Sequence, residues 1–345
     1  MPTHSKNWKK SLTDNQTQKQ TQRQKVLNKF LNTHTAVRRI IGLGETIMDI
    51  IFKNEAPTAA VPGGSVFNAI ISLGRMKQNV TMISETGNDH VGHAILRFMK
   101  ENGVSTENVN VFSDGRSAIS LAWLDNGGDA DYMFYKDYPN ARLEVEWPEI
   151  KNDDIVMIGS YFVLNPVLRP KVREFLEYAR NNGALIYYDL NFRKNHRADA
   201  VRLYADILEN LDYADIVRGS TEDIFNIFGY ADAEKVYKSA IEFHCKNMIC
   251  TDAGGDVKLF TNGKCRSFET RKIDAVSTIG AGDNFNAGTV YGLVRHGVSR
   301  EDLASLTDSR WDSIIKCGID FATDVCMSYS NSVSKEFAET YMAGI

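Results

Sequence analysis

The chain has few cysteines, no long apolar run and no large excess of either charge. Its five cysteines, Cys245, Cys250, Cys265, Cys317 and Cys326, are an odd number without a Cys-x-x-Cys pair, which argues against a disulfide framework and a zinc site. They fit reduced thiols in a cytoplasmic protein. No run of 18 apolar residues occurs, so no membrane-spanning helix is expected, and the N-terminus lacks the apolar segment of a secretion signal. A net charge of −4 over 345 residues offers no footprint for nucleic acid. Apolar residues are nearly absent from the glutamine-rich run Asp14–Gln24, and residues 1–37 are expected to be a disordered extension that cannot offset its chain entropy.

What is present after residue 37 suffices for a sizeable core, since 43% of the chain is hydrophobic. The rest is organised around Ser277-Thr278-Ile279-Gly280-Ala281-Gly282-Asp283. Ile273, Ala275 and Val276 read as a short strand leading in, and Ala287, Gly288, Tyr291 and Val294 recur at helical spacing after it. A strand turning sharply into a helix lets bare amides at Gly280, Ala281 and Gly282 converge on an anion, reinforced by the helix N-terminus. Asp283 is then either a first-turn acid stabilising its own helix or a base for an alcohol attacking a phosphate.

Other stretches carry polar residues at turns. Arg39–Gly44 is a buried strand ending in glycines, but Glu45, Ile47 and Met48 stand where a dinucleotide fingerprint needs its third glycine, which weighs against a nicotinamide enzyme. Asp49 follows, expected just beyond a strand end, where it either binds a ligand or caps a turn. Gly63-Gly64 leads into a helix carrying Asn68. Residues 80–112 read as strand, helix, strand, and His90 and His93 lack a third partner for a metal. Ala118 to Tyr135 alternates like a hairpin around Asn126-Gly127-Gly128, with Lys136 after it. From Ile155 a strand and helix rhythm resumes, through a helix over 166–182 and a strand ending in Asp189-Leu190-Asn191-Phe192-Arg193, to Ser220-Thr221-Glu222-Asp223, Thr251 and Gly254. Ser220 with Glu222 and Asp223 is also an ordinary helix start. A final helix is expected over 311–327.

Taken in order, these stretches resemble the ribokinase-like (PfkB-type) sugar kinases, whose signature Asp-Thr-x-Gly-Ala-Gly-Asp matches Ser277–Asp283 except at Ser277. The resemblance covers nearly everything after residue 37. It implies an α/β fold over 38–345, a doubly wound, mainly parallel sheet flanked by helices, with a small β-sheet lid from about 52–62 and 117–136. It implies ATP-dependent phosphorylation of a sugar hydroxyl, with ATP and Mg2+ as cofactors and a homodimer through the lid as a further expectation. Asp283 would be the base, with Gly280, Ala281 and Gly282 as the anion hole and Arg193 beside the transferring phosphoryl. Asp49, Gly63, Gly64, Asn68, Asn191 and Lys136 would meet the sugar; Ser220, Thr251 and Gly254 the nucleotide; and Asp223 or Glu222 the magnesium. Ser330 and Asn331 fall near the expected adenine side. Leu190 replaces the family's proline, and Ala253 displaces the glycines after Thr251. A fructokinase-like activity is the first expectation. Lys136 stands where relatives acting on acid sugars often carry Arg, so a 2-keto-3-deoxygluconate kinase is the alternative. The departures leave a catalytically silent sugar-binding regulator as a third.

Overall fold

A computed structural model of the protein describes residues 38–124 and 130–344; the extension 1–37 and the Asn126-Gly127-Gly128 turn lie outside the described residues. The strands are β1 (Arg39–Leu43), β2 (Ile47–Lys53), β3 (Ala56–Gly63), β4 (Asn79–Gly87), β5 (Val104–Ser105), β6 (Val109–Phe112) and β7 (Arg116–Leu124), followed by β8 (Ala130–Asp137), β9 (Ile155–Gly159), β10 (Leu185–Asp189), β11 (Ile216–Ser220), β12 (Asn247–Thr251), β13 (Val257–Thr261) and β14 (Lys264–Phe268). Ten of them form one sheet in the order β14-β13-β12-β11-β10-β9-β1-β4-β5, with β6 also on β4. From β12 across to β4 the strands run parallel, and β13 and β14 close one edge antiparallel.

Parallel strands covered by helices on both faces need apolar residues without alternation. Ile40 and Tyr187 pack in the core on one face, Ile41 and Tyr188 in the core on the other, and all four are fully buried. This is the doubly wound, mainly parallel α/β sheet that the resemblance implies. The helix Ala281–Arg295 lies on the first face against Ser65–Arg75 and Asp308–Cys326. Its contact with Asp308–Cys326 is so close that a Cβ on Gly288 would sit 2.3 Å from the carbonyl oxygen of Cys317.

The second sheet has the order β3-β2-β7-β8, with β2 parallel to β7. It is more extensive than the expected lid segments, because β2 begins at Ile47. Ile47, Asp49 and Ile51 turn inward while Met48, Ile50 and Phe52 are half-buried, a period of two. Asn54 and Glu55, with φ of 51° and 62°, make the tight turn into β3. Asp89 joins this sheet to the body: it caps the helix His90–Glu101 through the Gly92 amide at 2.9 Å and accepts from the Ser117 amide and hydroxyl at 2.8 and 2.7 Å.

Three local expectations are corrected. Residues 271–276 form no strand: Ile273 and Val276 are exposed, and the Val276 amide is instead tied to the Cys326 carbonyl at 2.8 Å. An apolar pair with no neighbouring strand to bond has no ladder to join. Asp49 lies inside β2 rather than beyond a strand end. The helix Asp308–Cys326 is not the last, since Lys335–Ala343 follows, capped by Ser334 accepting from the Phe337 amide.

Candidate active site

The carboxyl ends of β1, β9 and β10, the inner face of the second sheet and the mouth of the helix Ala281–Arg295 surround one cleft enclosing roughly 690 Å³, part of it open to solvent. An open parallel sheet gathers its ligand there because loops diverge beyond the strand ends. Of the residues singled out in the sequence, Asp49, Gly64, Asn68, Lys136, Asn191, Arg193, Gly280 and Asp283 line it. Ser65, Tyr132, Phe134, Ser160, Tyr161 and His196 line it too, and carried no motif by which to find them.

Gly280 caps the helix in the left-handed conformation at φ 79°, where a Cβ would also press on the Asn331 backbone at 3.0 Å. The Ala281 amide donates to the Thr278 carbonyl at 3.1 Å, so it already has a protein partner. Gly282 and Asp283 lie in the first turn of the helix, where amides have no acceptor within the helix. Ser277 is turned inward, its hydroxyl accepting from the Ile279 amide at 3.2 Å, and holds the turn without an acid.

Asp283 is buried, and its Oδ2 accepts from Asn68 Nδ2 at 2.8 Å. Burial pushes its carboxyl above the ordinary range; the Asn68 bond, Arg193, Ser65 and Arg218 oppose that push. Asn68 Oδ1 is buried and has no hydrogen-bond partner among the described residues. Asp49 is raised to about 6, chiefly by burial, against Ser120, which donates to Oδ1, and the charge of Arg193. Its Oδ2 accepts from Asn331 Nδ2 at 3.2 Å. Asn331, near the expected adenine side, is thus buried against Asp49. The glycines before Asn68 serve packing as well: a Cβ on Gly63 would meet Asp49 Oδ2 at 2.2 Å, and one on Gly64, at φ 128°, the Glu45 carbonyl at 2.1 Å.

Lys136 reaches from β8 to Glu45 at 2.7 Å, and Glu45 also accepts from the Tyr138 hydroxyl at 2.6 Å. The Arg193 guanidinium lies 4.7 Å from the centre of the Tyr132 ring. Asn191 takes a positive φ of 34°, at the bend that carries the chain from β10 to Arg193.

The remaining residues lie outside the cleft lining. Ser220 and Asp223 form a reciprocal capping box on the helix Thr221–Phe228, with Asp223 Oδ2 accepting from the Ser220 amide and hydroxyl at 2.7 Å each. Glu222 is exposed. Thr251 accepts a hydrogen bond from Arg218, and Gly254 takes φ 69° in an open turn. No group of three or more metal-ligating side chains occurs among the described residues. Magnesium accepts one carboxylate and completes its shell with water and phosphate oxygens, so a single acid, Asp223 or Glu222, is of the type that suits it.

A buried carboxylate at a helix mouth, beside a guanidinium and a cleft lined by polar side chains, is an arrangement that suits phosphoryl transfer to an alcohol. The pfkB family carbohydrate kinase profile matches residues 38–307. The chain belongs to the pfkB family and is an ATP-dependent carbohydrate kinase. A probable fructokinase-4 of Arabidopsis thaliana is 25% identical over 282 residues, covering 78% of this chain and 86% of that protein. A fructokinase double mutant of Vibrio cholerae O395, solved with fructose, ADP and potassium, superposes with a TM-score of 0.76 at 15% identity, covering 87% of this chain and 96% of that one. A ribokinase of Thermotoga maritima gives 0.67 at 18% identity, covering 89% and 99%. The two structures establish the fold. No helix among the described residues is long and apolar enough to cross a membrane.

Proposed function

We propose that this kinase phosphorylates a terminal hydroxyl of a small neutral sugar, with fructose first among them. The observation that carries the reading is the ion pair between Lys136 and Glu45 in the cleft wall. Lys136 is the lysine on which an acid-sugar clamp would depend, and its charge is already answered. Glu45, Asp49 and Asp283 bring three carboxylates to the cleft against the two cations Lys136 and Arg193, a lining that disfavours an anionic substrate. The similarity to fructokinases supports the same choice.

In this reading Asp283 takes the proton as the sugar oxygen attacks the γ-phosphate of ATP. The amides of Gly280 and Gly282, with that of Ala281 once it leaves Thr278, hold the growing negative charge together with Arg193. Asp49, the free Oδ1 of Asn68 and Asn191 bind sugar hydroxyls, the carboxylate and Asn68 Oδ1 as acceptors and the Asn191 amide in both roles. Thr251, Gly254 and Ser220 flank the nucleotide. Asp223 or Glu222 would hold a Mg2+ ion through water, and that ion would neutralise phosphate charge. Exposed Met133 and Tyr135 on β8 support a homodimer through the second sheet, and five free thiols suit the cytoplasm.

Turnover measured side by side on fructose, ribose and 2-keto-3-deoxygluconate, with ATP and Mg2+, tests the substrate. Fructose is expected to give the highest kcat/KM. Preference for the acid would overturn the reading, and no sugar-dependent ATP consumption at all would return the chain to a silent regulator.

A further inference from the structure

One strongly charged side chain lies in the interior outside the cleft lining. Arg218 projects from β11 onto the sheet face that carries the helix Ala281–Arg295, and is 6% exposed. Its Nη1 donates to Asp189 Oδ1 at 3.2 Å, and its Nη2 donates to Thr251 Oγ1. Asp189 is its direct neighbour across the ladder between β10 and β11. Both terminal nitrogens lie 2.9 Å from where a Cβ on Gly282 would stand. The guanidinium therefore underlies the first turn of the helix that carries Asp283, and a Cβ at 282 would force it to shift. Its Nε is buried and has no hydrogen-bond partner among the described residues.

The far side of Asp189 leads to the cleft. Ser65 donates to Asp189 Oδ2 at 3.3 Å, and Ser65 opens the helix on which Asn68 holds Asp283. Thr251 ends β12, beside the turn at Gly254. A single planar fork thus joins β10, β12 and the helix mouth. A fixed guanidinium can hold two partners at set angles, which an ammonium on a flexible stem cannot.

We propose that Arg218 is a positioning residue for phosphoryl transfer, clamping Asp189 to Thr251 beneath Gly282 so that the helix mouth and Asp283 keep one geometry relative to the sheet. The clamp also supplies charge. Burial raises Asp189 and Asp283 alike, and Arg218 opposes the rise in both. The charged and titratable groups around Asp283 are Asp49 on β2, Tyr132 on β8, Asp189 on β10, Arg193 after it and Arg218 on β11. Loss of Arg218 removes one of the two cations from that set. The proposal rests on Asp283 being the base, so Asp283→Asn is measured beside the Arg218 variants.

The test is steady-state kinetics from about pH 5 to 9 on the full chain, with ATP and whichever of fructose, ribose or 2-keto-3-deoxygluconate the wild type turns over. Arg218→Met should lower kcat by about 10- to 100-fold, as misplacement near the reacting centre does, and move the acid limb of kcat/KM to higher pH. Arg218→Lys should hold the acid limb in place yet lose about tenfold in kcat, because one ammonium cannot serve both partners. Thermal unfolding of each variant separates loss of fold from loss of rate. A folded Arg218→Met with a lower Tm but an unshifted limb and unchanged kcat would overturn the proposal. So would Arg218→Lys with wild-type kcat, which decides the matter even if the methionine variant does not fold. Full activity in Asp283→Asn would remove the base itself, a different failure that leaves the Arg218 rates to be read on their own.

Discussion

Asn68 Nδ2 donates to Asp283 Oδ2 at 2.8 Å, a buried bond between residues 215 positions apart. It joins the helix after the first glycine pair to the helix after the last. Asp283→Asn is expected to lower kcat by about 10² to 10³-fold with little change in sugar affinity, since a general base acts in the transition state. Asn68→Ala should move the acid limb of kcat/KM upward, because its bond favours the ionised carboxylate. Sugar titration by calorimetry beside initial rates would check the first, and a pH series the second.

Asp49 links stability to function. Burial raises it from 3.8 to about 6, so the folded protein holds this proton more tightly than the unfolded chain does. Its contribution to stability therefore declines as pH rises from about 4 to 6, and the full penalty stands above about 6, at about 1.4 kcal/mol for each tenfold difference in proton affinity between the folded and unfolded chains. Asp49→Asn should raise the urea midpoint at pH 7.5, equivalent to about 1–3 kcal/mol, with the gain vanishing near pH 4. The same variant should lose sugar turnover. A gain of equal size at both pH values would show that ionisation is not its source.

The Glu45–Lys136 pair makes specificity a matter of charge cancellation. Glu45→Gln frees the lysine. It should raise kcat/KM for 2-keto-3-deoxygluconate relative to fructose by about tenfold, the worth of roughly one charge-assisted hydrogen bond. An unchanged ratio in competition assays would take the pair out of substrate choice.

Gly288 permits the close contact of two helices through the Cys317 carbonyl. Gly288→Ala should destabilise by about 1–3 kcal/mol through overpacking, seen as a lower urea midpoint, since a carbonyl in a helix cannot step aside as a side chain can.

Much of the fold was legible from local pattern. Buried runs such as Ile155–Gly159 and Leu185–Asp189 marked parallel strands because residues covered on both faces need no alternation. Glycines at 63–64 and 280–282 marked helix mouths, since a backbone in the left-handed region or pressed on another chain segment admits little else. The short strand read at 273–276 failed, and the helix Lys335–Ala343 went unread, for one reason: strand formation needs a partner, and a short helix draws its stability from packing.

The sequence by itself determined most of the elements and the family, and singled out Asp283, Asn68 and Arg193, because each follows a glycine turn or a strand end whose chemistry is local. The tertiary structure alone decided that Asn68 addresses Asp283, that Glu45 answers Lys136, that Asn331 backs Asp49, and that Arg218 lies beneath Gly282. Those pairs span tens to hundreds of residues. Nothing in either partner's neighbourhood records the other, and only burial in a shared interior, where an unpaired polar group is costly, brings them together.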